Sequence, residues 1–490
     1  MRRFAYSAAV MAALILAGCA RPITAPATRT LRVAAPEVWT GGALDSATLD
    51  TDWWTYFNDA ELSRAISEAL EGSFDLRAAA ARIDAARANA TIAGAALLPS
   101  VDLALSRSQQ RQNFIGFPFP GAPADSVFST TSTNYGLRLN TSWEPDVWGR
   151  IQAGELEAVT NVQMRYADLA AARLSLTGQV ARAWFAVVEA QRQLDLSDVS
   201  LASFRLSSDR IRARFEAGLR PSLDLRLALT EVARAEATLE QRLEQRDRAQ
   251  RQLETLMGRY PSGDYGLTAR LPEVPLSVPG DLPSELVYRR PDLASAELGL
   301  VASDARLAQA EADLRPRFSL TGATGTASNN LLGLLDHNLF IWSFVGNFAQ
   351  PLFNGGRLRA AVDLNLSAGD EALANYESQV LGAYREVESA LAAEAVLARR
   401  EAALQEAVIQ SVAAEDLAEE RYRLGLTDII TVLTSQRSAD SSESQLIAIR
   451  RARLDNRVDL HVALGGGFDM SDVPTTFELM AASAENGSDE

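Results

Sequence analysis

Residues able to do covalent or metal chemistry are scarce. The 490 residues hold two histidines (His337 and His461), one cysteine (Cys19) and no lysine. Multi-cysteine or multi-histidine metal centres, a Ser/His/Asp arrangement, Schiff-base chemistry and a Walker-type lysine all lack raw material. Acidic side chains number 63 against 47 basic ones, every basic one an arginine, for a formal net charge of −16. Such a balance disfavours a nucleic-acid backbone as partner. No nucleophile–base pair is visible, so neither an enzyme nor a bound cofactor or metal is expected. Gly465-Gly466-Gly467 follows a helical pattern without lysine and reads as a flexible helix terminus rather than a phosphate loop. His461, on the same pattern, reads as packed or solvated.

Cys19 is the exception. Arg2 and Arg3 precede an apolar run from Ala8 to Ala17, a secretory signal too short to span a membrane. Leu16-Ala17-Gly18-Cys19 resembles a bacterial lipobox, which implies that Cys19 becomes the first mature residue and carries covalent lipid. Each buried CH₂ of an acyl chain contributes about 0.8 kcal/mol, so several chains anchor stably. In lipoproteins of this kind Ala20, rather than Asp, implies delivery to the outer membrane. The alternative is a plain signal peptide with an incidental cysteine.

Internal repetition sets the elements that position everything else. Arg214-Phe215-Glu216-Ala217-Gly218-Leu219 resembles Arg421-Tyr422-Arg423-Leu424-Gly425-Leu426 at an offset of 207. The same offset relates Gly149-Arg150 to Gly356-Arg357 and Met257-Gly258 to Leu464-Gly465. Within each half, residues 150–217 and 357–424 lack proline and keep apolar residues three or four apart, which predicts helices on the order of 100 Å long. Residues 74–98 read as a shorter helix. Coiled-coil packing explains rods of that length, and alanine lets them approach closely.

Between the helical blocks lies a segment whose length differs between the halves, as an exposed loop tolerates. Tyr135, Leu137, Leu139, Thr141 and Trp143 alternate with polar or small residues, as do Val101, Leu103 and Leu105, then Phe318 and Leu320, then Phe340, Trp342, Phe344 and Phe348. Period-two alternation over about ten residues marks a transmembrane β-strand. Trp143, Trp148 and Trp342 suit an aromatic girdle. A half-buried soluble sheet is the alternative. Four strands cannot close, and lipid tolerates no open edge, so a spanning chain must oligomerise. Two copies give eight strands with a filled interior; three give twelve and room for a lumen.

Several stretches resemble one family. Trp53-Trp54-Thr55-Tyr56-Phe57-Asn58-Asp59 followed by Leu62, Glu144-Pro145-Asp146-Val147-Trp148-Gly149-Arg150, Arg289-Arg290-Pro291-Asp292-Leu293 and Pro351-Leu352-Phe353-Asn354-Gly355-Gly356-Arg357 are similar, in order, to motifs of outer-membrane efflux proteins of the TolC/OprM superfamily. With the lipobox, they resemble in particular the NodT-type outer-membrane lipoproteins. The resemblance implies a mixed α and β membrane protein. In it a homotrimer forms a twelve-stranded outer-membrane β-barrel, four strands per protomer, continuing into a periplasmic α-helical barrel, with a mixed α/β equatorial domain. On this plan residues 1–18 are the leader and 19–58 an extended equatorial segment. The first repeat is 59–258, with strands at about 100–109 and 133–143 and a hairpin tip near 218. An equatorial linker occupies 259–290. The second repeat is 291–466, with strands at about 317–326 and 340–350 and a tip near 425. Residues 467–490 form an acidic tail, expected to be disordered.

By the same resemblance the protein is a passive exit duct. It works with a periplasmic adaptor and an inner-membrane pump, of RND type for drugs or solvents, and sits in outer-membrane lipid. Ducts for type I protein secretion or metal-ion efflux are alternatives, and a lipid-anchored periplasmic coiled-coil scaffold is one of a different class. The hairpin tips would dock the adaptor through Arg214, Gly218, Leu219, Arg421, Gly425 and Leu426. The same glycines also read simply as helix C-caps with an inward-packed leucine. Asp428 and Asp224, with Thr431 and Thr434, are candidates for a periplasmic gate, since three-fold symmetry would turn each acid into a ring of three. Asp428 equally reads as a helix N-cap. Thr434 stands where a family member commonly carries Asp, which implies a less acidic gate.

Overall fold

The computed structural model describes residues 32–41, 50–114, 127–266, 270–274, 283 and 285–486. Cys19 and residues 115–126, with Phe117 and Phe119, lie outside them. A 3₁₀ turn, Trp53–Phe57, is the first element among the described residues, followed by α1 (Ala60–Gly72) and α2 (Phe74–Ala95). Strands β1 (Ser100–Phe114) and β2 (Phe128–Trp143) form a hairpin that leads into α3 (Arg150–Glu216) and α4 (Ser222–Leu256). A single helical turn at Leu286–Arg289 precedes the second copy of the plan: α5 (Pro291–Ala312), β3 (Arg317–Ser328), β4 (Phe340–Ala349), α6 (Arg357–Arg423) and α7 (Ile429–Ala463). The chain closes with α8 (Thr476–Asn486).

α3 and α6 each hold 67 residues, roughly 100 Å of rod. Each starts directly after a glycine with positive φ, Gly149 at +74° and Gly356 at +84°, where the chain turns from sheet to rod. The α3 start is fixed further by Asp146, whose carboxylate accepts the Gln152 N–H (2.8 Å), and by the Glu144–Arg150 ion pair (2.9 Å).

The opening motif has a packing reason. Trp53, Phe57 and Leu62 are buried against Trp184, Phe185 and Val188 in the middle of α3, together with Leu253 of α4 and Leu454 of α7. One carboxylate oxygen of Asp59 accepts the N–H groups of Glu61 and Leu62, capping α1, while the other accepts the Trp184 indole N–H at 2.9 Å. This core ties the N-terminal segment to both hairpins. Arg290 makes the matching tie in the second half, pairing with Asp292 and with Glu386 of α6 (2.7 Å each).

The four strands form one antiparallel sheet in the order β1-β2-β3-β4. Registers such as Leu103↔Leu139↔Thr324↔Trp342 and Thr141↔Gly322↔Phe344 put directly opposed residues on a common face. That face collects Val101, Leu103, Leu105, Leu137, Leu139, Leu320, Phe340, Trp342, Phe344 and Phe348, and most of these are exposed. The opposite face carries Asp102, Arg138, Asn140, Ser142, Thr321, Ser343 and Asn347. Trp143 and Trp148 anchor the helical end by donating to the carbonyls of Leu97 (2.9 Å) and Pro316 (2.7 Å).

Three local expectations need correction, and one open reading, His461 packed or solvated, is decided. β1 and β2 run past 109 and 133 to Phe114 and Phe128. In the added part both faces are polar until the closing Phe114–Phe128 pair, with Arg111 and Asn113 on one face and Gln110 and Gln112 on the other, so no alternation exists to be read. The C-terminal tail is structured at least as far as α8, because Leu479 and Met480 pack on Ala90, Val159 and Val162. Gly465-Gly466-Gly467 is a tight passage, all three residues having positive φ. A Cβ at 465 would lie 2.0 Å from the Arg289 carbonyl oxygen, and one at 467 would lie 2.5 Å from the Asp50 backbone. His461 is fully buried, stacked between Trp53 (5.3 Å) and Tyr56 (5.9 Å); burial and then Arg457 push its pKa down to about 4, so it stays neutral.

Candidate functional site

Both rods end in the same backbone device. The Gly218 N–H reaches the Phe215 carbonyl (2.8 Å) and the Leu219 N–H reaches that of Arg214 (2.9 Å). Gly425 and Leu426 repeat the pair onto Tyr422 (3.1 Å) and Arg421 (2.8 Å). Gly218 and Gly425 have φ of +74° and +77°. These are Schellman caps, which satisfy carbonyls that the last helical turn leaves open. The leucines after the glycines do not pack inward. Leu219 is 71% and Leu426 66% exposed, and Leu223, Leu424 and Ile430 around them are exposed too. An apolar, rigidly turned tip fits contact with another protein better than contact with water.

The next helices start differently. Asp428 is the N-cap of α7: one of its oxygens accepts both the Thr431 hydroxyl (2.7 Å) and the Thr431 N–H (2.8 Å). Those two bonds hold the carboxyl below its ordinary pKa, so it is charged at neutral pH. Thr434, exposed one turn on, accepts from Arg437 (3.3 Å). α4 instead starts after Pro221 with no side-chain cap, and Asp224 sits half-buried in its first turn.

Arg214 does not point outward from its tip. Its guanidinium donates to the carbonyls of Tyr422 (3.3 Å) and Arg423 (3.4 Å) at the end of α6, where the helix dipole is negative. It also lies over the Tyr422 ring at 5.1 Å, and Arg220 covers the same ring at 4.8 Å. Arg421, its repeat counterpart, is exposed. At this joint the arginines come from the first repeat, while further along the hairpins Arg437 of α7 pairs with Glu231 of α4 (3.7 Å). A cleft of about 630 Å³ beside this joint has Arg210 and Arg214 on the α3 wall and Asp416, Glu419 and Glu420 on the α6 wall.

A third feature has no counterpart among the sequence candidates. Glu415 of α6 lies near Asp440 and Glu443 of α7, about three to four turns from the tip. Burial, reinforced by Asp440, Glu419, Asp416 and Glu443, pushes Glu415 up to about 7. Asp440 is raised as well, by burial, despite accepting the Ser200 hydroxyl of α3. Nothing in the linear order of these acids marks them, because the antiparallel return of α7 is what brings the two runs together.

Comparison with known proteins covers nearly the whole chain. The family model described as outer membrane efflux protein matches residues 65–259 and 282–466. Outer membrane protein OprJ of Pseudomonas aeruginosa is 34% identical over 477 residues, 96% of this chain and 97% of that protein. The toluene efflux pump outer membrane protein TtgF of Pseudomonas putida is 32% identical over 430 residues, 87% of this chain and 88% of that one. Among solved structures, the outer-membrane channel OprN superposes with a TM-score of 0.83 at 29% identity, covering 91% of this chain and 99% of that one.

Proposed function

This chain belongs to the outer membrane efflux protein family, and on that premise we propose that three copies form a continuous exit duct through the outer membrane and the periplasm. The observation that carries the trimer is the sheet. β1 and β4 are both edge strands, and one sheet face is an apolar band. A sheet with two open ladders cannot sit in lipid. Pairing β4 of one copy with β1 of the next removes every edge, and three copies give twelve strands, a width that leaves a lumen lined by Asp102, Arg138, Asn140 and Asn347.

Below the membrane α3, α4, α6 and α7 of three copies enclose the periplasmic tunnel, and the tips form its entrance. Leu219 and Leu426 dock a periplasmic adaptor, with Gly218 and Gly425 fixing their presentation. Asp428, with Asp224, Thr431 and Thr434 nearby, lines the constriction. Arg214 holds the two tips of one copy together. Acylated Cys19 adds a lipid anchor. The inner-membrane partner, of RND type, selects a drug- or solvent-like cargo; the relative TtgF is named for toluene.

The test is recording from the purified full-length protein in planar bilayers, beside a heat-sensitivity gel. Discrete conductance steps and a heat-modifiable trimer band are expected. A protein released from membranes without detergent once Cys19 is replaced by Ser, and silent in bilayers, would instead be a lipid-anchored scaffold.

A further inference from the structure

The two β-hairpins leave the apolar band in different ways among the described residues. β1–β2 continues past the apolar band as a stalk polar on both faces. The β3–β4 connection, residues 329–339, folds back. It forms two 3₁₀ turns, Leu332–Leu335 and His337–Leu339. The Thr326 hydroxyl donates to the Leu334 carbonyl at 2.8 Å, and the Ser328 hydroxyl accepts from Asn330 N–H at 3.3 Å. Thr326 is opposed to Leu137 and Phe340, and Ser328 to Tyr135, so both side chains lie on the apolar face of the sheet. The first turn is therefore seated on the outside of the sheet, with Leu334 buried beneath it. Leu332 and Leu335 point away, 82% and 85% exposed, and Leu331 is exposed beside them.

Two physical points select the occupant of this surface. The leucines continue an apolar band that already includes Phe340, Trp342 and Phe344. Much of the loop's backbone is also paired within the fold: Gly333 N–H reaches the Asn330 side chain (2.7 Å), Asp336 N–H the Gly333 carbonyl (3.1 Å), Asn338 N–H the Asp336 carboxylate (2.9 Å) and Leu339 N–H the Asp336 carbonyl (3.0 Å). A loop standing in water has no need of that closure, whereas one lying in hydrocarbon does.

We propose that Leu331, Leu332 and Leu335 form a lipid-inserted collar, buried among acyl chains of the outer leaflet and fixing the depth of the barrel. Asp336 and Asn338 mark its polar rim. The proposal rests on the membrane reading of the sheet, and its test separates the two. In full-length protein carrying Cys19→Ser, one cysteine is introduced as Leu335→Cys, Phe344→Cys or Asn113→Cys and labelled with an environment-sensitive fluorophore. The proteins are reconstituted in phosphatidylcholine vesicles with and without lipid bearing a nitroxide on its acyl chain. Positions 335 and 344 should both show blue-shifted emission and lose intensity to the nitroxide to a similar extent, and position 113 should do neither. Quenching at 344 but not at 335 overturns the collar. Blue-shifted yet unquenched emission at 335 also does, since a sister copy then covers the leucines. Failure of quenching at 344 removes the membrane reading of the sheet, and the collar with it.

Discussion

The two hairpin tips are built from one plan at an offset of 207, yet they are held differently. Between Trp184 and Ile211, α3 buries side chains on every turn or two: Phe185, Val188, Leu194, Ser197, Leu201, Phe204 and Ser208. The matching stretch of α6, between Leu391 and Ala418, buries none. The Ser208 and Ala233 positions of the first repeat become Glu415 and Asp440 in the second, which puts two mutually repelling acids where the first repeat has neutral residues. Arg214 and Arg220 reach from the first tip onto Tyr422 of the second, with nothing returned by Arg421. The two rods are equal in length, but only α3 is buried along this stretch. Local stability follows buried contact, so movement is expected in the second hairpin.

The sharpest way to break this contrast is Arg214→Ala. It removes two charge-assisted bonds to the end of α6, and losing about 1.4 kcal/mol there would shift the closed-to-open ratio by about tenfold. Bilayer recordings should show that rise, and Arg421→Ala should leave conductance unchanged. If both variants act alike, the tips are equivalent and the one-sided tie is incidental.

Asp428→Ala has a smaller effect. Loss of an N-cap costs about 1 kcal/mol, so amide exchange over the first turn of α7 should quicken about fivefold, with conductance also rising if the acid lines the constriction. The first turn of α4, which starts after Pro221 without a side-chain cap, should be untouched. Unchanged exchange at Ile429–Val432 would remove the capping role.

The smallest effect sharpens the contrast through pH. Glu415 has its folded pKa raised to about 7 from an ordinary value of 4.5. Between those values the folded chain keeps a proton that the unfolded chain has lost, so stability falls as pH rises across the interval and is level above it. Glu415→Gln should flatten that slope and raise the melting temperature at pH 8, read by circular dichroism. A slope that survives the substitution would place the pH response elsewhere, with Asp440 or Glu443.

Much of the architecture was legible because its signals are periodic. The proline-free stretches became α3 and α6, and alternation at Tyr135–Trp143 and Phe340–Phe348 marked one sheet face. The errors share a cause. The β1–β2 stalk has no apolar face, so periodicity ended before the strand did. Gly465–Gly467 read as loose because glycine permits many conformations, but the reason for glycine there is the close approach of Arg289 and Asp50. The residues of α8 read as a solvated tail, and only the α2–α3 surface waiting for Leu479 and Met480 explains their order. At the tips, the glycine turns and the Asp428 cap were visible as local patterns, whereas the Arg214–Tyr422 joint and the Glu415–Asp440 facing depend on how distant rods pack.

Electron microscopy of the detergent-purified full-length protein tests the central claim most directly. A three-fold particle is expected, with β4 Phe340–Ala349 of each copy hydrogen-bonded to β1 Ser100–Phe114 of the next around one water-filled bore. A monomer with both sheet edges bare, or an assembly whose rods close into a solid bundle, would contradict it.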